Sequence, residues 1–175
     1  LKIVYQLTKG RKIKLEKSDL NFSWNDFIKL GEDYNKKIKS DFKGNDVAAI
    51  LYSGGTTGYP KGIELTNLNF NALAIQSFEA CQCLKEKDNV LSIMPIFHGF
   101  GLGICIHTVQ YFGGTSILLP QFSSKTFDKL LKKYKPNIIV GVPTLYEALL
   151  KNKNLDGYDL SFLKCVISGG DSLSI

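Results

Sequence analysis

Apolar residues are arranged along the chain in two different patterns. Short runs rich in apolar residues, which are typical of strands buried on both faces, predict strands at 47–51, 89–94, 115–119, 137–142 and 162–167. Residues 63–66 are also predicted to form a strand. Segments with apolar residues at helical spacing lie between them and predict helices at 67–84, 101–112, 124–134 and 143–150. Strands that alternate with helices predict an α/β fold: a parallel sheet with helices on both faces.

Capping residues mark several of the predicted helix starts. Ser23 is expected to cap a helix over 24–30, Thr66 or Asn67 the helix that follows the second strand, and Ser123 or Ser124 the helix containing Phe127, Leu130, Leu131 and Tyr134. Pro143 suits a first helical turn. In the helix at 67–84, the apolar side is predicted to carry Leu68, Ala72, Ile75, Phe78 and Ala80.

The first 45 residues differ in charge from the rest. They hold 11 Lys and Arg against 6 Asp and Glu, whereas residues 46–175 hold 11 against 10. A strand is predicted at 1–7 and a polar connector at 8–17. An RNA or an anionic surface could bind such a basic segment, but its lysines are interleaved with acids and no aromatic ladder accompanies them. We therefore predict a solvated lysine-rich lead-in over 1–45, no nucleic-acid partner, and a second domain over 46–175.

Apolar runs and cysteines bear on the cellular setting. No apolar run approaches the roughly 18–20 residues that span a membrane, and no signal peptide opens the chain. Peripheral contact with a membrane stays compatible with the sequence. The four cysteines, at positions 81, 83, 105 and 165, match no zinc-binding spacing. We predict free thiols, no metal ligands and a reducing, cytoplasmic location.

A glycine-rich stretch follows the apolar run at 47–51. It combines glycines, hydroxyl side chains and Lys61 over residues 53–62. Glycines allow backbone N–H groups to converge on one point, and such a concavity binds anions. The lysine adds a full positive charge. The stretch therefore predicts a loop that binds phosphate oxygens, although a glycine-rich hairpin without a ligand is the simpler alternative.

Two common phosphate-binding motifs do not fit this stretch. The Walker pattern ends in Gly-Lys-Ser/Thr, whereas Lys61 follows Pro60 and precedes Gly62. The dinucleotide pattern G-x-G-x-x-G requires a helix directly after it, but 63–66 is predicted to be a strand. A phosphate site in this stretch therefore belongs to another class.

Residues 52–62, Tyr-Ser-Gly-Gly-Thr-Thr-Gly-Tyr-Pro-Lys-Gly, resemble the phosphate loop of the adenylate-forming superfamily. This superfamily includes acyl-CoA synthetases, luciferases and peptide-synthetase adenylation domains. Gly54 stands where serine is commonest, a departure associated with fatty-acyl-CoA ligases. The resemblance implies that Lys61 is catalytic, stabilising charge on the leaving pyrophosphate, and that ATP is held by Ser53, Gly54, Gly55, Thr56, Thr57, Gly58 and Lys61.

Ligands of parallel sheets bind outside the carboxyl ends of the strands, which directs attention to the loops there. Pro-Ile-Phe-His-Gly-Phe-Gly at 95–101 contains His98, and a histidine beside aromatic residues is often a packed structural residue. The loop resembles the family segment whose histidine lines the acyl pocket beside the α-phosphate. Gly-Val-Pro-Thr at 141–144 resembles the corner at the back of that pocket. The implied catalytic His98 also binds the acid, together with Phe97, Phe100, Gly141, Val142 and Thr144.

The last loop, Ser-Gly-Gly-Asp-Ser-Leu-Ser at 168–174, has two interpretations. It resembles the family segment beside adenine, which implies that Gly169, Gly170 and Asp171 contact the nucleotide. It also resembles the Gly-Asp-Ser-Leu block of a hydrolase class, in which the serine attacks an ester. That chemistry needs a base histidine positioned by an acid, and these lie far C-terminal in that class. The hydrolase is therefore the less favoured interpretation.

Several family segments are absent from the 175 residues: the Tyr-Gly-x-Thr-Glu block whose glutamate helps hold Mg²⁺, the ribose-binding aspartate, and the small C-terminal domain. We therefore expect a piece of the large N-terminal domain that is inactive by itself. For the parent protein, the resemblance implies an acid–thiol ligase that uses ATP, Mg²⁺ and coenzyme A to activate a carboxylic acid, with a fatty acid favoured. An amino-acid-activating domain and a nucleotide-binding module are the alternatives.

Overall fold

A computed structural model describes residues 21–34, 40–54, 58–119, 122–123 and 126–173. The chain divides into two compact units, residues 1–41 and 42–175. The domain boundary predicted after residue 45 stays a prediction. Within the described ranges, none of the helices combines the length and apolar character that crossing a membrane requires.

The described part of the first unit contains a short helix, α1 (Trp24–Lys29). The Oγ atom of Ser23 accepts a hydrogen bond from the backbone N–H of Asp26 at 3.2 Å. This bond satisfies one of the backbone donors left free at a helix start, and it confirms Ser23 as the cap. The predicted strand at 1–7 and the connector at 8–17 lie outside the described residues.

The second unit begins with an antiparallel hairpin of β1 (Val47–Ser53) and β2 (Lys61–Thr66). The strand expected at 63–66 is confirmed. The prediction that the apolar run at 47–51 is a buried strand is wrong: Val47 is 50% exposed and Ile50 52% exposed. The physical reason is that β1 pairs with β2 in a two-stranded sheet apart from the parallel sheet, and within the described ranges no helix layer covers both of its faces.

The predicted parallel sheet is confirmed. It consists, in the described part of the chain, of β3 (Asn89–Ser92), β4 (Thr115–Leu118), β5 (Ile138–Gly141) and β6 (Cys165–Ser168), in the order β4-β3-β5-β6. All neighbouring strands are parallel. The strands are shorter than predicted because the flanking apolar residues belong to the connections at either end.

Both faces of this sheet are covered, as predicted. Successive residues of β3 and β5 point to opposite faces. Val90 and Ile138 belong to the core under the helices of one face, and Leu91 and Ile139 to the core under those of the other. Every residue of β5 is buried. Strands buried on both faces explain why the sequence shows continuous apolar runs rather than alternation.

The helix after the hairpin is α2 (Asn67–Ala80). Thr66 and Asn69 cap it reciprocally, each side chain accepting from the other residue's backbone N–H, which confirms the Thr66 cap. The helix ends four residues earlier than predicted because the backbone of Cys81 leaves the helical region, with φ −94° and ψ 75°. The predicted apolar side is wrong in part: Phe78 packs against the core, but Leu68 and Ile75 are exposed, and Phe70 and Ala74 are the buried residues of α2.

The helix predicted at 101–112 is mostly a π-helix, which spans Phe100–Thr108 and is followed by a single α-helical turn, α3 (Val109–Tyr111). Gly101 is required here, because a Cβ at this position would lie 2.1 Å from the backbone oxygen of Pro95. Wide helical turns of this kind are rare and occur frequently at functional sites.

Two helices cover the other face of the sheet. α4 (Phe127–Tyr134) lies where a helix was expected, but the Ser123 cap is wrong: Thr126 precedes the helix, and no side chain among the described residues caps it. Ser124 lies outside the described residues. α5 (Pro143–Leu150) confirms the proline-initiated helix, and a 3₁₀ turn (Lys153–Leu155) follows it.

Candidate functional site

The carboxyl ends of four parallel strands form one edge of the sheet, which we call the carboxyl edge. It is defined by the last residues of β4, β3, β5 and β6, namely Leu118, Ser92, Gly141 and Ser168. The loops that leave these residues carry most of the predicted site residues outside the hairpin. The topology therefore collects segments that are distant in sequence into one region.

A groove of about 760 Å³ opens at the carboxyl edge. Its lining includes three of the predicted acyl-pocket residues, Phe97, Val142 and Thr144. The other lining residues are Ser92, Ile93, Met94, Pro95, Ile96, Leu118, Leu119, Phe122 and Leu145. None of these described lining residues is charged, so the groove favours an apolar group. Phe97 is 80% exposed, which leaves its ring available to a ligand.

Most of these additional lining residues were missed by the sequence interpretation. Leu118 and Leu119 end a predicted strand, and Ile93 and Met94 end another. Their only sequence signal is an apolar residue placed at the carboxyl end of a parallel strand. That signal is indistinguishable from ordinary core until the strand ends are known.

His98 is exposed and lies in a tightly bonded turn. Its backbone N–H donates to the Pro95 oxygen at 3.1 Å, and its own backbone oxygen accepts from Leu102 N–H at 2.9 Å. Its side-chain Nδ1 accepts the backbone N–H of Phe100 at 3.1 Å. An imidazole that accepts at Nδ1 carries its proton on Nε2 when neutral, so His98 presents an N–H donor at Nε2.

The loop that carries His98 lies against the hairpin. A Cβ added to Gly99 would lie 3.5 Å from Cδ1 of Leu51 in β1, which is ordinary van der Waals contact. His98 is absent from the lining of the groove. It stands in the sequence between Phe97, which lines the groove, and Gly99, which adjoins β1.

The hairpin places the two ends of the glycine-rich stretch opposite each other. Ser53 and Lys61 are partners in the β1–β2 ladder, at the mouth of the connecting loop. Gly58 has φ +84°, a backbone conformation that favours glycine. Gly54 and Gly58 have open space beside them. Gly55, Thr56 and Thr57 lie outside the described residues, so the loop's predicted phosphate contacts stay a prediction.

The loop after β6 contacts predicted residues of the loops after β3 and β5. Gly169 donates its N–H to the Gly141 oxygen at 3.2 Å, and a Cβ on Gly169 would lie 3.2 Å from the Phe100 ring. Gly170 has φ +80°, and a Cβ on it would lie 3.6 Å from Cγ1 of Val142. The structure thus brings together predicted residues from three loops.

Asp171, in contrast, is exposed and turned toward its own loop. Its Oδ1 accepts the backbone N–H of Ser172 at 2.8 Å. This local bond orders the turn after Gly170. A role of Asp171 in nucleotide binding stays a prediction.

Tyr146 supports the ends of β5 and β6 and was not identified from the sequence. Its hydroxyl donates to the Ile167 oxygen at 2.7 Å and lies 3.3 Å from the Ile139 oxygen, so it joins β5 to β6 near their carboxyl ends. Burial raises the pKa of the Tyr146 phenol well above its ordinary value, which keeps this donor protonated. A tyrosine on a helix face gives no sequence signal for such a bond.

The family comparison covers nearly the whole chain. The family model described as "AMP-binding enzyme" matches residues 2–175. The chain belongs to the AMP-binding enzyme family. A long-chain-fatty-acid–CoA ligase of Bacillus subtilis is 38% identical over 132 residues, which is 75% of this chain and 24% of that protein. The chain therefore spans about a quarter of the length of this relative.

Solved structures of the same family share the fold. An anthranilate CoA ligase in complex with anthranoyl-AMP matches with a TM-score of 0.77 and 26% identity over 91% of this chain and 31% of that chain. ATP-bound MatB from Rhodopseudomonas palustris matches with a TM-score of 0.67 and 29% identity over 75% of this chain and 25% of that chain. The fold is that of the N-terminal domain of adenylate-forming CoA ligases.

The described side chains do not form a magnesium site. In the described ranges, no three His, Cys, Asp or Glu residues are grouped so that they could hold a metal ion. The described side chains therefore give no fit for Mg²⁺. The glutamate ligand outside the 175 residues stays an expectation from the family resemblance. Mg²⁺ stays a prediction for the parent protein.

Proposed function

We propose that the protein containing this chain is an AMP-forming acid–thiol ligase. A carboxylate oxygen forms a bond to the α-phosphorus of ATP while the bond from that phosphorus to the pyrophosphate oxygen breaks. The products are an acyl-adenylate and pyrophosphate. The sulfur of a thiol, for which we propose coenzyme A, then attacks the acyl carbon and releases AMP and the thiol proton.

One observation carries this proposal: a glycine-rich hairpin that bears a lysine and an apolar groove meet at the loop of His98. Phe97 lines the groove, Gly99 adjoins Leu51 of the hairpin, and His98 lies between them. A carboxylic acid with an apolar tail has the same arrangement, with its charged end next to its apolar end. Its reacting group would therefore lie where the two sites join.

The proposed residue roles follow from their chemistry. Lys61 and the backbone donors from Ser53 to Gly58 would hold the β- and γ-phosphates and stabilise charge that develops on pyrophosphate. The Nε2–H of His98 would hydrogen-bond an oxygen of the carboxylate or the α-phosphate. Gly169 and Gly170 would border the adenine. Holding both reactants in line supplies a large part of the acceleration in such reactions.

The groove favours an apolar acid, and we propose a fatty acid. Because no described lining residue carries a charge, a second carboxylate or an ammonium group in the groove would be desolvated without a partner. This argues against dicarboxylates and amino acids as substrates. Free thiols at all four cysteines support the proposal of a reducing, cytoplasmic setting.

The test is acid-dependent exchange of labelled pyrophosphate into ATP by the full-length protein. The panel contains hexadecanoate, octanoate, malonate and phenylalanine. We expect exchange with the two aliphatic acids and none with malonate or phenylalanine. Exchange with phenylalanine alone would instead support the amino-acid-activating alternative, and ATP binding without exchange would support a nucleotide-binding module.

The substitution Phe97→Ala tests the groove directly. Removing the exposed ring should raise KM for hexadecanoate about 10-fold, the effect of losing one to two kcal/mol of apolar contact, and leave KM for ATP unchanged. Leu150→Ala, which removes an exposed apolar side chain outside the groove, is the matched control. The 175-residue chain by itself is expected to show no exchange.

A further inference from the structure

Two serine hydroxyls from the sheet converge on one carbonyl of the π-helix. The backbone oxygen of Cys105 accepts from Oγ of Ser92 at 3.2 Å and from Oγ of Ser116 at 2.5 Å. Ser92 ends β3, and Ser116 lies within β4. Ser92 is 2% exposed and Cys105 is fully buried. The two bonds thus fix the middle of the π-helix against two neighbouring strands.

The side chain of Cys105 adds to the same attachment. Burial raises the pKa of its thiol to about 11, while hydrogen bonds with Ser92 and the backbone of Met94 act in the opposite direction. The thiol thus lies in the same buried surroundings as the carbonyl of its own residue. We call Ser92, Ser116 and Cys105 the serine clamp.

The serine clamp closes the loop that carries His98. Ser92 and Cys105 are 13 residues apart, and Phe97 and His98 lie between them. Inside this closed segment, backbone bonds link Pro95 to His98 and His98 to Leu102, and Nδ1 of His98 accepts from Phe100. The segment is therefore bonded at its ends and at its centre.

The type of helix that the serine clamp attaches matters for the position of His98. A π-helix and an α-helix differ by one residue in the spacing of their hydrogen bonds. Cys105 lies within this π-helix, and the two serine bonds attach it to β3 and β4. Without this attachment the π-helix would be free to shift toward the commoner α-helical pattern, and its first residues would move with it. Phe100, the donor to His98, is the first residue of the π-helix.

We propose that Ser92 and Ser116 are positioning residues for His98, which hold its imidazole as an Nε2–H donor by fixing the Cys105 carbonyl. This proposal rests on the proposed function for its effect on catalysis. The serines themselves touch neither the acid nor ATP. They act through the π-helix and the Phe100 N–H.

The kinetic test is a double-mutant cycle in the full-length protein. Ser92→Ala with Ser116→Ala should lower kcat of hexadecanoate-dependent exchange on the order of 10- to 100-fold, as for a misplacement of about 1 Å, and leave KM for ATP within about twofold. In a His98→Ala background, the same pair should change kcat less than about twofold. Ser116→Thr, used in place of Ser116→Ala, keeps the hydroxyl and should restore the activity that the alanine change removes. Equal losses in both backgrounds would overturn the proposal.

A spectroscopic arm separates failure of this inference from failure of the proposed function. In protein labelled with ¹⁵N-histidine, the His98 signals, assigned by their loss in His98→Ala, should show the Nε2–H tautomer. The pair of alanine changes should shift them toward a mixture of tautomers even if no acid supports exchange. Unchanged His98 signals would contradict the inference.

Two controls cover a general loss of stability. Ser77→Ala removes a half-buried serine of α2 and should alter neither kcat nor the His98 signals. If the paired change prevents folding, the single change Ser116→Ala serves in its place. It removes the shorter of the two bonds and leaves the buried Ser92 in position.

Discussion

The two edges of the parallel sheet are built in opposite ways. At the amino edge, where the strands begin, polar side chains bind one another and the backbone. Nζ of Lys164 lies 2.5 Å from Oδ1 of Asp88, and Asn137 accepts from the backbone N–H of Asn89 at 2.9 Å. At the carboxyl edge, Ser92 and Tyr146 also bond to backbone oxygens, but glycines, an exposed histidine and an open apolar groove lie beside them.

This difference separates stability from chemistry. Asp88 is 4% exposed, and its carboxylate also accepts the Lys85 backbone N–H at 3.0 Å, so its charge is compensated by its neighbours. Such an arrangement has little capacity left for a ligand. The carboxyl edge presents an open apolar groove and the exposed His98, and a binding site requires such accessible surface. Substitutions at the two edges should therefore affect different measurable quantities.

The largest expected effect is loss of activity at the hairpin. Lys61→Met should lower kcat/KM of pyrophosphate exchange by about 100- to 1000-fold, which is typical of removing a group that stabilises transition-state charge. Its free energy of unfolding should change by less than about 0.5 kcal/mol because Lys61 is exposed. Lys129→Met, at an exposed position of α4, is the control and should change neither quantity.

The opposite result is expected at the amino edge. Asp88→Ala should lower the free energy of unfolding by about 2–3 kcal/mol, because it removes both bonds and leaves Lys85 N–H unpaired. Exchange kinetics below the melting temperature should stay at the wild-type level. Lys164→Met should lower the free energy of unfolding by less than Asp88→Ala does, since Lys164 is partly exposed and solvent screens its charge. Denaturant unfolding measures the stability of both variants. A loss of kcat in Asp88→Ala would contradict the separation of stability from chemistry.

The buried thiol of Cys105 predicts that the free energy of unfolding depends on pH. The folded-state pKa of Cys105, about 11, exceeds the ordinary value of 9.0, so the folded state keeps a proton that the unfolded state loses. This contribution is complete below pH 9 and is lost as the pH rises to 11, by about 2 kcal/mol. The stability difference between wild type and Cys105→Ala should shrink over this range. A constant difference would show that the thiol does not contribute.

The smallest effect is a gain in stability on the α4 side. Asp128 is 4% exposed, and among the described residues its Oδ1 has no hydrogen-bond partner. Asp128→Leu should raise the free energy of unfolding by about 1 kcal/mol, because the cost of burying an unpaired polar oxygen disappears. Asp156→Leu, in an exposed turn, is the matched control. Thermal melting compares the two, and destabilisation by Asp128→Leu would mean that the carboxylate is compensated.

The sequence is most informative where one interaction dominates. Continuous apolar runs predict the parallel strands because strands such as β5 are buried on both faces. Ser23 and Thr66 predict helix starts because their bonds are local. The burial of the strand at 47–51 was predicted wrongly because it depends on which element the strand pairs with, and composition does not carry that information.

The candidate site was predicted in part for the same reason. Phe97, Val142 and Thr144 meet in one groove because they follow strands whose ends are adjacent. The π-helix was not predicted, since the pattern at 100–108 indicates only a helix and the Cys105 carbonyl is bonded by Ser92 and Ser116 from two other elements. Tyr146 was missed likewise, because its partner lies 21 residues away.

The proposed reaction is tested most directly by following oxygen from the acid. The full-length protein is given hexadecanoate labelled with ¹⁸O in its carboxylate, together with ATP and coenzyme A, and the phosphate group of AMP is analysed by mass spectrometry. We expect one ¹⁸O atom in AMP, because the carboxylate oxygen that attacks the α-phosphorus stays with it when the thiol takes the acyl group. Unlabelled AMP, or label in inorganic phosphate with release of ADP, would contradict the proposed reaction.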